Sequence, residues 1–548
     1  MPAPVNRPFA ILAAWLLALS VLAVAVTREG LMAGSLDDVF VVLHEARGWA
    51  AHIGLLPDTM ADEGLGRPTV EGATSPADVV VKMISMVLAP SADPLVVAGW
   101  VCLGWLAMGA LVIAHGAVAL GAGRLQAAAV AAGWACSLGL VEAASYRLEG
   151  ALFAAVWGAL LVAAARERRN TALVLSVLLC AVRPEGFVLG PAAALCAHRS
   201  SPSAIVVARC VSSAAPVLGA RLIAFGSWAP QSYRAKSSDD RWLEFQDGLG
   251  YLDASLRTPA GAALLVLAAG VLWSLWVGRA AQGGPRSSDR LRCSLLSITS
   301  LAAVILVLSG GDGYAGSRLA LPLAAPVWIA ASVPAFSGVT VQRVCLGLAL
   351  CLQIVGLQPS VGEPRREGLE SLNLAWSTVN RLRAGPSGLE AFEGDQEVLR
   401  AAAEALGRET LAHRHAQRFR WFSPGLHILD LTGLTSKEVG DLPAPHRVTF
   451  GRDAIAYAID ERVGALHLDV LRARPSPLAG ESPKVLADEM HALRFVGPPP
   501  LRGDVAARLA EQYVCASYLH PGAAGWFNLL VRKDLVGRFE AAGFRLRP

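Results

Sequence analysis

Asp37 and Asp38 stand side by side shortly beyond an apolar stretch that runs from Phe9 to Val26. A carboxylate at that depth meets water, a headgroup or a cavity, and partial burial would raise its pKa and make it a better base toward a hydroxyl. Neighbours i and i+1 on a helix point about 100° apart, so one carboxylate can face a reacting atom while the other orients it or binds a metal. A simply solvated acidic pair is the competing reading. Cations stand in other inter-helix segments, at Arg183, Arg234, Lys236 and Arg318. An arginine offers phosphate oxygens a bidentate fork and Lys236 a point charge; snorkelling to lipid headgroups is their alternative use. Asp312 sits within Gly310-Gly311-Asp312-Gly313, whose glycines let the backbone approach a sugar hydroxyl or a divalent cation as well as make a plain turn. Glu71 lies in Val70 to Pro76, where Gly72 and Pro76 argue for a defined turn. No CxxC and no His/Cys cluster at zinc spacing occurs, so no structural metal is expected, no cofactor is assigned with certainty, and a catalytic metal stays unknown.

The elements that must position these groups are membrane spans. Hydrophobic residues make up 54% of the 548, charged residues only 17%, and the mean hydropathy is +0.46, all outside soluble norms. The formal net charge is +4, with the basic residues in short loops rather than on one face, which excludes a nucleic-acid partner. Beyond Phe9 to Val26, spans are expected near 94–118, 126–142, 150–165, 171–182, 186–198, 203–225, 259–278, 293–309, 319–336 and 341–357, about eleven in all. Those at 171 and 186 are too short to cross alone and read as tilted, broken or re-entrant, meeting at Arg183-Pro184. With the N-terminus inside, the loops holding Arg124, Arg166 to Arg169, His198-Arg199, Arg279 to Arg292 and Arg343 face the cytoplasm. The opposite set holds Asp37-Asp38, Glu142 to Arg147, 226–258 and 310–318. Residues 76–90 pattern as an amphipathic helix, with Lys82 among Val, Met and Ile, lying at the interface or forming the first turns of the second span.

Residues 1–357 thus form a transmembrane domain with a first external loop at 28–78, and residues 358–548 a soluble domain on the extracytoplasmic side. Of nine cysteines only Cys515 lies in that tail, so it holds no internal disulfide. A polar linker at 358–366 precedes helical patterns at 367–383 and 389–407. Strand-like runs at Leu426 to Leu431, Ala465 to Leu471 and Phe527 to Val531, with a helix at Val505 to Tyr513, predict a mixed α/β domain.

In order along the chain, SLDDVF around Asp37, VEGATSP at 70–76, RPEG at 183–186, APQSYRAK at 229–236, GGDGYAGSR at 310–318 followed by LP, and ILDLTGLTSKEV at 428–439 with His446 soon after resemble the landmarks of one family. It is the GT-C class of multi-spanning, lipid-linked sugar transferases, in particular the terminal arabinofuranosyltransferase-like group that includes flagellar motor control homologues. The sequence departs from that pattern in VFVVLHEAR after Asp38 and at Gln231 and Arg234, which bears on the substrate more than on the reaction. The resemblance implies a bacterial inner-membrane enzyme that moves a sugar, with arabinofuranose a candidate, from a polyprenyl-phosphate donor to an envelope glycan. Asp37 or Asp38 would be the base, Arg318, Lys236, Arg234 and Arg183 would hold the donor phosphate, and Glu71, Tyr233 and Asp312 would contact substrate, a divalent cation being left open. A non-enzymatic envelope or motor-assembly protein on the same scaffold, and a transporter, are the alternatives.

Overall fold

A computed structural model describes residues 37–55, 75–92, 94–135, 140, 149–198, 203–228, 241–282, 287–310, 321–333, 339–357, 398, 400–407, 409–413, 427–431, 442, 454–467, 503–519 and 526–547. The chain is mostly helical. The helices up to residue 357 are α1 (Asp37–His52), α2 (Pro76–Leu88), α3 (Pro94–Ala119), α4 (Arg124–Ala135), α5 (Gly150–Ala165), α6 (Arg169–Val182) and α7 (Gly186–Cys196). There follow α8 (Ala204–Val211), α9 (Ala215–Phe225), α10 (Arg241–Arg257), α11 (Pro259–Gln282), α12 (Ser287–Leu308), α13 (Leu321–Ser332) and α14 (Val339–Leu357). Among the described residues four helical segments are long and apolar enough to cross a membrane: Pro94–Ala119, Ala204–Phe225, Ala260–Val277 and Ser288–Leu308. Shorter apolar helices cover 150–165, 169–182, 186–196, 322–332 and 341–352. The expected first span at Phe9 to Val26 lies outside the described residues.

Burial follows the logic of a lipid solvent. Large apolar side chains such as Trp100, Leu125, Ile205, Ile223 and Trp276 point outward, while glycines allow several of the closest helix contacts around a core that includes Trp134, Trp157 and Trp328. A Cβ on Gly116 would lie 2.3 Å from Val162, and one on Gly133 2.2 Å from the Trp328 ring, so only glycine allows these approaches. Trp157 donates from Nε1 to the Pro322 carbonyl at 3.1 Å, tying α5 to the start of α13.

The far end of α13 is tied differently. Helix ends leave carbonyls without intrahelical donors. Here Gln126 donates to the Ala331 carbonyl at 3.3 Å, Gln342 to that of Val333 at 2.9 Å, and the Arg292 guanidinium also to Val333. The starts of α4 and α14 and the first turns of α12 therefore meet at one end of the bundle.

Some expectations are revised. Within the segment expected as the first external loop, residues 37–52 form α1. Residues 76–90 are not the opening turns of the second span: the expected amphipathic helix is a separate element, α2, ending before Ala89, with α3 starting at Pro94. The 226–258 segment contains α10, and the 203–225 span is broken by a 3-10 turn at Ser212–Ala214. Helices α6 and α7 pair as a hairpin; at about 1.5 Å per residue their 14 and 11 residues reach roughly 21 and 17 Å, short of a bilayer core of about 30 Å.

The tail contains a six-stranded sheet in the order β2-β1-β3-β5-β4-β6. Its strands are β1 (Leu411–His413), β2 (Ile428–Asp430), β3 (Ala465–His467), β4 (Tyr513–Leu519), β5 (Trp526–Arg532) and β6 (Arg545–Arg547). The first three are mutually parallel and the rest antiparallel. Helices α15 (Ala454–Asp460), α16 (Gly503–Gln512) and α17 (Val536–Ala541) accompany it, with a further helical stretch at 400–406. The helix expected to end at Tyr513 ends at Gln512, because Tyr513 opens β4: its ring is buried, its hydroxyl donates to the Val463 carbonyl at 2.9 Å, and burial pushes the phenol up to about 12. The helical pattern at 367–383 lies outside the described residues.

Candidate functional site

Helix α2 is amphipathic in the reverse sense. Ser75 caps it, its Oγ accepting from the Asp78 amide at 3.2 Å. One turn on, Lys82 Nζ donates to Asp78 Oδ2 at 2.6 Å, and both side chains are only 1% exposed. Val80, Ile84 and Leu88, spaced four apart on the other side, are exposed. Charge inside and hydrocarbon outside is the arrangement a helix adopts when its surroundings are lipid and its polar groups need protein partners.

The second component is the turn joining α6 to α7. Arg183 meets Glu185 through Nη2 at 2.8 Å and Nε at 3.2 Å, meets Glu149 at 3.3 Å, and lies 5.7 Å from the Phe153 ring centre. Glu149 precedes α5, so the fork staples three helices at one point. The turn closes through the Gly186 amide on the Arg183 carbonyl at 2.9 Å. Gly186 is required there, since a Cβ would stand 2.2 Å from the Leu179 carbonyl oxygen. Glu149 also acts electrostatically on Asp78 and Lys82, which makes the two ion-paired groups one cluster. In it Asp78, Glu149 and Glu185 are ion-paired with or in electrostatic reach of Lys82 and Arg183. A phosphate reaching Arg183 would have to exchange with a carboxylate already bound.

Asp37 and Asp38 open α1, and their side chains lie outside the described residues. The helix itself is firmly seated: Val41, Val42, Leu43 and Ala46 pack with Val79 and Met86 of α2 and Ala98 of α3. Farther along α1, Trp49 meets Phe225 at the end of α9 edge-on, 6.4 Å between centres. His44 and Glu45 are buried in α1 as well. Glu71, Tyr233, Arg234, Lys236, Asp312 and Arg318 lie outside the described residues. Of the helices flanking their segments, α2 follows 70–75, α9 leads toward 229–236, and α10 seats Gly248 against the Val307 carbonyl near the end of α12, which leads toward 310–318.

Sequence reasoning missed Asp78 and Glu149 as members of a site. The i, i+4 spacing of Asp78 and Lys82 was the available signal. Among the described residues no group of three or more His, Cys, Asp or Glu side chains could hold a metal ion. No family model, no curated protein and no solved structure matches this chain.

Proposed function

We propose that the protein is a GT-C-like membrane glycosyltransferase that transfers a sugar from a polyprenyl-phosphate donor to an envelope glycan on the extracytoplasmic face. The observation that carries the reading is convergence. Residues 41–46 of α1, directly after SLDDVF, pack against α2, and Asp78 in the first turn of α2, which Ser75 of VEGATSP caps, lies within electrostatic reach of Glu149, which Arg183 of RPEG binds. The arginine-bearing starts of α4, α12 and α14 meet at an end of their own. Short arginine-rich connections mark the cytoplasmic side, which supports about eleven spans and an external face for the acidic segments. Ionisable groups gathered near helix ends, rather than lining a midplane, favour a transferase over a transporter.

In this reading Asp37 or Asp38 takes the acceptor hydroxyl proton as the lipid phosphate departs. Arg318, Lys236 and Arg234 stabilise the charge growing on the leaving phosphate. Glu71, Tyr233 and Asp312 contact the sugar, and a divalent cation at Asp312 is compatible with its glycine-flanked position. The cluster around Arg183 fixes the hairpin against which the donor lies. The tail domain binds the acceptor glycan.

The test is transfer from defined polyprenyl-phosphate sugars by purified protein in lipid. Asp37→Asn or Asp38→Asn should lower turnover by about 10²- to 10⁴-fold with little change in donor affinity, whereas Arg318 or Lys236 variants should weaken both. Absence of transfer from every polyprenyl-phosphate sugar, with the protein folded, rejects the reading.

A further inference from the structure

The parallel half of the tail sheet sets three ionisable residues in one row. His413 of β1 stands in register with Asp430 of β2 on one side and with His467 of β3 on the other. Their side chains lie outside the described residues, and it is the backbone register that brings the three positions together. Successive residues of a strand belong to opposite faces of the sheet. Leu411, Ile428 and Ala465, two positions earlier and likewise in register, are buried in the cluster that contains Leu406 of the 400–406 helix and Phe539 of α17. The intervening Ala412 and Leu466 belong to the cluster on the other face, with Leu509 of α16. Positions 413, 430 and 467 therefore continue the first face, and along it all three strands change at the same step from apolar to ionisable.

The row also falls where the topology opens a crevice. Each of the three residues is the last of its strand, at the carboxyl end of the parallel set. From β1 the chain moves outward to β2, whereas from β3 it moves across the sheet to β4, so the connections leave in opposite directions on the two sides of the β1–β3 boundary. Open α/β sheets take their ligands outside the carboxyl ends of the strands at such a switch of direction. Two imidazoles and a carboxylate are a donor set for a zinc-class ion; Mg²⁺ and Ca²⁺ prefer oxygen ligands throughout.

We propose that His413 and His467 bind a divalent transition-metal ion of the zinc class at the carboxyl ends of β1 and β3, with Asp430 as the positioning residue for His413. The division of roles follows from spacing. Neighbouring strands stand about 4.8 Å apart, a gap that two imidazoles bridge through one ion held about 2.1 Å from each nitrogen. Asp430 stands roughly twice that strand spacing from His467 but next to His413, where a carboxylate accepts the hydrogen bond of the non-ligating ring nitrogen, fixes the tautomer and raises the basicity of the ligand. Two protein ligands leave coordination positions open to water or a hydroxyl.

The experiment dialyses the full-length protein in nanodiscs, purified without a histidine tag, against Zn²⁺ and counts the bound metal by elemental mass spectrometry, with Mg²⁺ and Ca²⁺ in parallel. Wild type should hold a stoichiometric zinc ion that the double variant His413→Ala/His467→Ala lacks and that Mg²⁺ and Ca²⁺ do not replace. Asp430→Asn should weaken zinc binding by about 10- to 100-fold and, with Co²⁺ as the probe, shift the visible absorption of the bound ion; Asp430→Glu should recover part of both. Should the double variant fail to fold, wild type alone decides: saturating Zn²⁺ should slow amide exchange in β1 and β3 and leave β6 unchanged. Zinc held equally by wild type and the double variant is an adventitious ion only and overturns the proposal. Wild type that binds no zinc, displacement of zinc by equal Mg²⁺, or unaltered exchange in β1 and β3 overturns it as well, and an Asp430→Asn variant with wild-type affinity and spectrum removes the positioning role. Neither measurement reads sugar transfer, so the site stands or falls apart from the transferase reading.

Discussion

Replacing Lys82 with Met removes one half of an ion pair in which each side chain is 1% exposed and the N–O distance is 2.6 Å. At an effective dielectric near 20, two unit charges at that distance attract by about 6 kcal/mol. Withdrawing them from water costs several kcal/mol for each ion, so the pair as a whole contributes little net stability. Half of the pair is another matter. Lys82→Met leaves Asp78 without its cation beside Glu149, whose charge adds repulsion, and should destabilise the protein by about 3–5 kcal/mol. The charge-free double variant Asp78→Asn/Lys82→Met should lose less than about 2 kcal/mol, because neither ion is then stranded. Chemical unfolding in lipid bicelles, followed by the accessibility of Cys102 to a thiol reagent, measures both; Cys102 is buried in the core beside this cluster. A Lys82→Met cost below about 1 kcal/mol, or a double variant no better than the single, would refute the claim that the pair is desolvated and mutually dependent.

At the hairpin, Gly186→Ala drives a Cβ into the Leu179 carbonyl, and loss of folded protein by more than about 2 kcal/mol in the same unfolding assay is expected. In the tail, hydrogen bonds from Arg532 hold the Asp534 carboxyl below the usual carboxylate range. A depressed carboxylate stabilises fully above its unfolded value near 4, and that contribution is lost as the pH falls through the folded value. Protection factors of β5 amides in the full-length chain, exchange rates taken relative to the intrinsic rate at each pH, should therefore fall below about pH 4, modestly because Asp534 is more than half exposed, and Asp534→Asn should flatten the response. Reporters fused after residue 357 and within 240–255 should read external, and one within 279–292 cytoplasmic; any reversal overturns the sidedness.

How much of this was legible in the sequence depends on the kind of contact. Apolar length located α3, α11 and α12, and period-two composition located β2, β3 and β5 within a residue or two where the strands continue in the described segments. The amphipathic period of α2 was legible too, but a period does not say which solvent lies on which side. In lipid the apolar face turns out, so Lys82, read as a guest among Val, Met and Ile, becomes the buried member of an ion pair. Strand β4 escaped because Val514 to Ser517 mixes small and polar residues directly after a helix, and its place is fixed by pairing along its whole length with β5.

The pairing of Arg183 was the least accessible feature. RPEG announces a turn and supplies Glu185 locally, but Glu149 comes from the start of another helix and becomes a partner only once α5 packs against the hairpin. That packing decides what Arg183 can do. A guanidinium forked onto Glu185 and also bound to Glu149 holds helices together, and its affinity for a phosphate is reduced by whatever it costs to strand a displaced, partly buried carboxylate. Arg221, buried in α9, stacks its guanidinium on the ring of Phe187, the residue after the same turn. The sequence shows both as arginines beside apolar helices; what surrounds each guanidinium follows from which side chains the fold packs around it.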